Sequence, residues 1–230
     1  MTITLRREGA LAFVHMDDGK ANAFDADFFA ELTKALDETA DADALVIAGR
    51  EGMFSGGLNL KALGSLDPES LLDMMVGFAR TMHRIWLEPR PVVAAVTGHA
   101  VAGGTILAMA SDHAVAADGP FRWGLNETAI GLAFPSWILA ITRANVRNDR
   151  IEGLLLSGAL ISPAEALEVG YADEVVPADQ VLAAAEAKAS ALAALPRAAY
   201  AATKQRLRGD ASRAALAAME PELRAMMGQA

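Results

Sequence analysis

The segment "GHAVAGGTILAMASD", residues 98–112, follows the β-branched run "VVAAVT" and sets three glycines ahead of a short apolar stretch. That order predicts a buried strand, a turn that needs small residues, and the start of a helix. Such a backbone can cradle a phosphate, make a tight turn, or present unpaired N–H groups to a reacting oxygen. The phosphate reading has a specific form to test, because Gly98, Ala100 and Gly103 fall at G-x-G-x-x-G spacing and Asp118 ends the next strand-like run. The fit is superficial. Ala100 stands where that fingerprint needs a glycine against the pyrophosphate, and the following helix has barely two turns before Asp112. A fold built on that unit also tends to begin with it, whereas this chain opens on two strand-like runs, Ile3 to Arg6 and Leu11 to Met16, joined at Glu8-Gly9 as a hairpin.

An earlier stretch, "GMFSGGLNLKAL" at 52–63, repeats the arrangement of two adjacent glycines between a strand and an apolar, helix-compatible segment. Two such turns could aim two N–H donors at one carbonyl oxygen, or each could be a tight turn and no more. A third stretch, "FRWGLNETAIGLAFP" at 121–135, places Glu127 among Trp123, Leu125, Ala129, Ile130 and Leu132. Burial there would raise its pKa and make it a usable general base near neutrality. A capping or solvated glutamate is the plainer alternative.

The rest of the chain bounds these readings. Its 230 residues suit one domain with a substantial core, and the longest apolar runs are far shorter than the ~20 residues of a membrane span. A formal net charge of −9 argues against nucleic acid or an anionic membrane as the main partner. The absence of cysteine excludes disulfides, thiolate metal sites and cysteine nucleophiles. With no secretory signal in "MTITLRREGALAFVHMDD", a cytoplasmic location is the expectation. Strands are expected at 44–49, 92–98 and 113–117, with an amphipathic helix over 71–87. From Pro135 onward the chain reads as almost wholly helical. "SPAEALEVG" carries Ser162 as N-cap, Glu165 closing a capping box and Gly170 as a stop. Two alanine-rich helices meet near Pro196, and a last helix is expected from about Asp210.

Taken in order, "GKANAFD" (19–25), "MFSGGLNLKAL", "VVAAVTGHAVAGGTILAMASDHAVAA", "FRWGLNETAIGL" and "LISPAEALEVGYADEVVP" (160–177) resemble the crotonase, or enoyl-CoA hydratase/isomerase, superfamily. The resemblance implies an α/β fold, a crotonase-like spiral of β-β-α units over residues 1–145. A C-terminal helical region, 146–230, would build homotrimers or dimers of trimers and complete the acyl-CoA site. It implies an acyl-CoA thioester substrate whose oxygen is held by the N–H groups of Leu58 and Gly103, with Glu127 as the acid/base. Lys20, Ala21, Ala23, Ser55, Gly56, Gly57, Leu60, Gly104, Ile106 and Asn126 fall at positions that would contact substrate. No metal and no cofactor beyond the substrate's own coenzyme A is implied.

One departure is informative. Hydratases of this superfamily carry a second acid in the helix after the second glycine pair, and here that position is Ile106. Hydration needs one group to position water and another to manage its proton, whereas moving a proton between two carbons needs only one. The resemblance is therefore closest to the mitochondrial-type Δ3,Δ2-enoyl-CoA isomerases, which convert 3-enoyl-CoA to 2-trans-enoyl-CoA. Hydration or thioester hydrolysis by Glu127 alone, and silent acyl-CoA binding, are the alternatives. Of the remaining polar residues, Ser111, Asp112 and His113 are adjacent and lack the separation of a nucleophilic triad. His15, His83 and His99 show no ligand spacing, and Lys20, Lys61 and Lys204 are the candidates for meeting CoA phosphates.

Overall fold

The computed structural model describes residues 2–228. In chain order its strands are β1 Thr2–Glu8, β2 Leu11–Asp17, β3 Ala44–Ala48, β4 Gly52–Ser55, β5 Val92–Val96, β6 Gly98–Val101, β7 His113–Ala117, β8 Trp123–Gly124 and β9 Glu174–Val176. Its α-helices are α1 Ala26–Glu38, α2 Leu60–Leu63, α3 Pro68–Trp86, α4 Gly103–Ala110, α5 Ser136–Asn145, α6 Asn148–Ser157, α7 Pro163–Val169, α8 Val181–Ala193 and α9 Arg197–Met226.

The strands alternate between two sheets. β1-β2-β3-β5-β7-β9 form the larger one and β4-β6-β8 the smaller, so each successive strand pair of the core gives one strand to each sheet before the chain moves on. This is a spiral of β-β-α turns. The β1–β2 hairpin is antiparallel, and the other strand-to-strand ladders among the described residues run parallel. Parallel strands are covered on both faces, which is why "ALVIA" and "VVAAV" are apolar throughout. Their alternate residues serve different cores. Ala44, Val46 and Ala48 pack with Val93, Ala95 and the α8 residues Val181, Ala185 and Ala189. Leu45, Ile47, Ala94 and Val96 face a second core with α1, α3 and α4.

Local signals place several boundaries. Asp67 caps α3 by accepting from Glu69 and Ser70, with Pro68 at the first helical position. Ser162 and Glu165 form the expected capping box at α7, and Gly170 ends it in the left-handed region. The C-terminal part is almost wholly helical, apart from β9, which pairs with β7 through Val115–Glu174, Ala116–Val175 and Ala117–Val176. One expectation there needs correction: no new helix begins at Asp210, and α9 runs unbroken from Arg197 to Met226. Its buried residues Lys204, Gly209, Ser212, Ala215, Met219 and Leu223 lie on both sides of Asp210, and this face docks the helix on α3 and α5.

At the N-terminal end of that face lies a buried ion cluster. Lys204 Nζ donates to the carbonyls of Glu88 and Arg90 and, at 2.6 Å, to Asp112, which also accepts from Arg208 at 2.8 Å and from Val92 N–H. With its three donor positions committed inside the protein, Lys204 is not available to a CoA phosphate, which corrects that expectation. Removing one member strands the other's charge. Asp112→Ala is therefore expected to lower the unfolding free energy by about 3 kcal/mol. Urea denaturation checks this; a loss below about 1 kcal/mol, the range of a surface pair, would contradict it.

Candidate active site

Two turns, one after β4 and one after β6, meet back to back. Gly57 adopts φ +85°, and a Cβ added there would lie 2.9 Å from both the Gly103 nitrogen and the Ala102 methyl. A Cβ on Gly103 would lie 3.2 Å from the Gly57 Cα. Small residues at these positions are what allow the two backbones to touch. Ala102 itself sits at φ +50°, a strained conformation for a residue with a side chain, and its N–H is tied to the Gly124 carbonyl at 2.8 Å.

This packing leaves two N–H groups unoccupied. Phe24 N–H donates to the Gly57 carbonyl and Asn59 N–H to the Phe24 carbonyl, both at 2.8 Å, as a parallel bridge between Phe24 and Leu58. In that geometry the N–H of Leu58 points away from Phe24. Gly103 opens α4, so its N–H has no acceptor within the helix. Neither donor has a partner among the described residues, and the α4 dipole adds positive potential at Gly103.

Both donors border a narrow cavity of about 100 Å³, lined also by Gly56, Leu60, Phe78, Val101, Ala102, Asn126, Glu127, Ile130 and Leu132. Among these lining residues Glu127 alone carries a titratable side chain. It is 9% exposed, and its Oε2 has no hydrogen-bond partner among the described residues. Desolvation pushes its pKa from the ordinary 4.5 up to about 7. The arrangement can polarise a carbonyl oxygen through two N–H donors while one carboxylate, basic near neutrality, moves a proton on a neighbouring atom.

A protein-family model for enoyl-CoA hydratase/isomerase matches residues 6–228. The chain belongs to the enoyl-CoA hydratase/isomerase family. Among relatives of this family, it is 31% identical to mouse mitochondrial enoyl-CoA delta isomerase 1 over 81% of this chain and 66% of that one. It spans about two thirds of the length of the curated mammalian isomerases it matches. The solved structure of human mitochondrial delta3-delta2-enoyl-CoA isomerase superposes with a TM-score of 0.93 at 26% identity, covering 98% of this chain and 90% of that one. An enoyl-CoA hydratase from Mycobacterium ulcerans superposes with a TM-score of 0.90 at 33% identity, over 96% and 98%. Isomerases and hydratases of the family are thus comparably similar to it.

Of the other expected contact residues, eight divide into two groups in this family member. Gly56, Leu60 and Asn126 line the cavity with Leu58, Gly103 and Glu127. Ala21, Ala23, Ser55, Gly57 and Gly104 shape the turns behind it: the Ala21 carbonyl accepts from Gly56 N–H at 2.8 Å, and Ser55 Oγ accepts from Gly57 N–H at 3.0 Å while donating to the Asn22 carbonyl. Ala23 N–H donates to Asp18, and an added Cβ on Gly104 would collide with the Ser55 backbone. Lys20 is exposed. Ile106 is fully buried in the core, one turn beyond Gly103, and is not among the residues lining the cavity. His83 is a core residue held between Ser212 Oγ and the Trp137 carbonyl.

Residues missed in the sequence carry much of the positioning. Asn22, buried at φ +48°, donates to the Met16 and Phe54 carbonyls and accepts from Asp18 N–H, pinning the loop that receives Gly56. Phe24 supplies the bridge to Leu58. The "GKANAFD" run drew attention to this loop, but nothing local distinguishes a buried asparagine from an exposed turn residue.

Proposed function

We propose that the protein isomerises 3-enoyl-CoA to 2-trans-enoyl-CoA, with Glu127 as the sole acid/base and the N–H groups of Leu58 and Gly103 as the oxyanion hole. The observation that carries this reading is the single carboxylate in the cavity, with Ile106 at the position where a second acid would stand. Glu127 takes the proton from C2, and the electron pair of that C–H bond moves onto the thioester oxygen as a dienolate conjugated with the C3–C4 double bond. The same carboxyl group then returns the proton to C4, leaving the double bond between C2 and C3. Two hydrogen bonds to the developing oxyanion offset its charge in a site that excludes water. The exposed leucines Leu182, Leu195 and Leu207 on α8, α9 and their junction fit the expected assembly into trimers, which sedimentation would check.

Incubation with 3-enoyl-CoA and 2-trans-enoyl-CoA in separate reactions tests the chemistry. Absorbance from the conjugated thioester is expected to rise with the first and to stay level with the second. Loss of absorbance from 2-trans-enoyl-CoA would replace isomerisation with hydration, and release of free thiol would replace it with hydrolysis.

Ile106→Glu places a carboxylate one turn from Gly103 on the same side of α4. It is expected to introduce hydration of 2-trans-enoyl-CoA, read as a new absorbance loss. A folded, acyl-CoA-binding variant without that activity would mean that the missing second acid does not set the reaction type.

A further inference from the structure

We propose that the stacked rings of Phe78 and Phe29 form the end wall of the acyl pocket and restrict the enzyme to short acyl groups. This rests on the acyl-CoA reading above and names its substrate class. The exposed lining residues of the cavity are Gly56, Leu60, Ile130 and Leu132, the last three being 53%, 45% and 45% exposed. The coenzyme A arm, large and polar, must leave past these residues. With the thioester oxygen held at Leu58 and Gly103, the acyl carbons then run inward to Phe78, which is 2% exposed. A volume of about 100 Å³ leaves room for a short acyl group only.

Behind the wall lies unused space. The Phe78 ring stacks on Phe29 with centroids 5.1 Å apart and planes 16° from parallel. Phe29 in turn lines a groove of about 840 Å³ between α1 and α3, which reaches Met74, Gly77 and Thr81, the α3 residues flanking Phe78. The two cavities share no lining residue. Phe78 is also clamped edge-on by Trp137 at 4.8 Å and by Phe24 at 6.4 Å, and Phe24 lies edge-on to Phe29 at 6.0 Å. A ring held from three sides in a close-packed core does not swing aside to admit a longer chain.

Calorimetric binding of the saturated thioesters butyryl-, octanoyl- and dodecanoyl-CoA tests the wall independently of any turnover. The native protein is expected to bind the two longer thioesters no more tightly than butyryl-CoA. Phe29→Leu/Phe78→Leu opens the passage, and each methylene it then buries is worth about fourfold in affinity. The dodecanoyl to butyryl affinity ratio is therefore expected to rise at least about tenfold. If the double variant does not fold by circular dichroism, Phe78→Leu alone is expected to raise the ratio by about threefold. Native affinity that climbs steadily to dodecanoyl-CoA, or a folded variant with an unchanged ratio, overturns the proposal. Failure of the native protein to bind any of the three overturns the acyl-CoA reading itself, and the wall's role with it.

Discussion

Glu127→Gln is expected to lower isomerase turnover by about a hundred- to ten-thousandfold, the span of a positioned acid/base, while acyl-CoA affinity changes little. Glutamine keeps the size of the side chain and removes its basicity. The native pH profile should carry the same signature. A base must be ionised to accept the C2 proton, so kcat/KM is expected to rise with pH and level off above a pKa of about 7, where desolvation holds Glu127. Stability should move in the opposite sense. In the unfolded chain the carboxyl ionises near 4.5, whereas in the folded protein it keeps its proton up to about 7. Between those values the native state binds more protons, so burial of this group costs stability increasingly as pH rises through the window and in full above it. Removing the charge relieves that cost. At pH 8 the Gln variant is expected to be more stable than the native protein by about 2–3 kcal/mol, a difference absent at pH 4. Thermal melts at the two pH values, beside the turnover assay, read both effects. Native turnover in the Gln variant would end the single-base mechanism.

Gly103→Val is expected to cost about a hundredfold or more in kcat, the range seen when one oxyanion donor is lost. A Cβ at this position lies 3.0 Å from the Phe24 ring and 3.2 Å from the Gly57 Cα. Phe24 is fixed by its 4.1 Å stack on Phe28, so the branched side chain must displace either the Leu58 turn or its own N–H. Both movements separate the two donors. Gly103→Ala, which adds only the Cβ, should lose less. The comparison separates loss of geometry from loss of fold, provided that circular dichroism and acyl-CoA binding are followed with turnover. A folded Val variant with near-native kcat would remove Gly103 from the oxyanion hole.

What could be read from the chain alone was whatever depends on neighbours along it. Alternation and β-branched runs specify β3, β5 and β7, because a strand covered on both faces needs an apolar side chain on each. The Ser162–Glu165 box and Gly170 mark the ends of α7 because capping is satisfied within one turn. The Gly56-Gly57 and Gly103-Gly104 pairs, and Glu127 within an apolar run, mark segments that meet at the cavity. Tertiary structure decided the rest. Leu58 and Gly103 become one donor pair only because Gly57 packs on Gly103 and the strained Ala102 turn is tied to Gly124. The Glu127 carboxyl is raised to a pKa of about 7 only when folding removes its water. Lys204 looks in sequence like a surface charge free for phosphate, yet the fold surrounds it with Asp112 and two carbonyls. Asp210 looks like a helix start, yet a stripe of buried residues on both sides carries α9 straight through it. Local periodicity fixes which residues want burial, whereas desolvation, convergence of donors and the partners of a buried charge arise between segments far apart in the chain, where only the packed fold sets distance and dielectric.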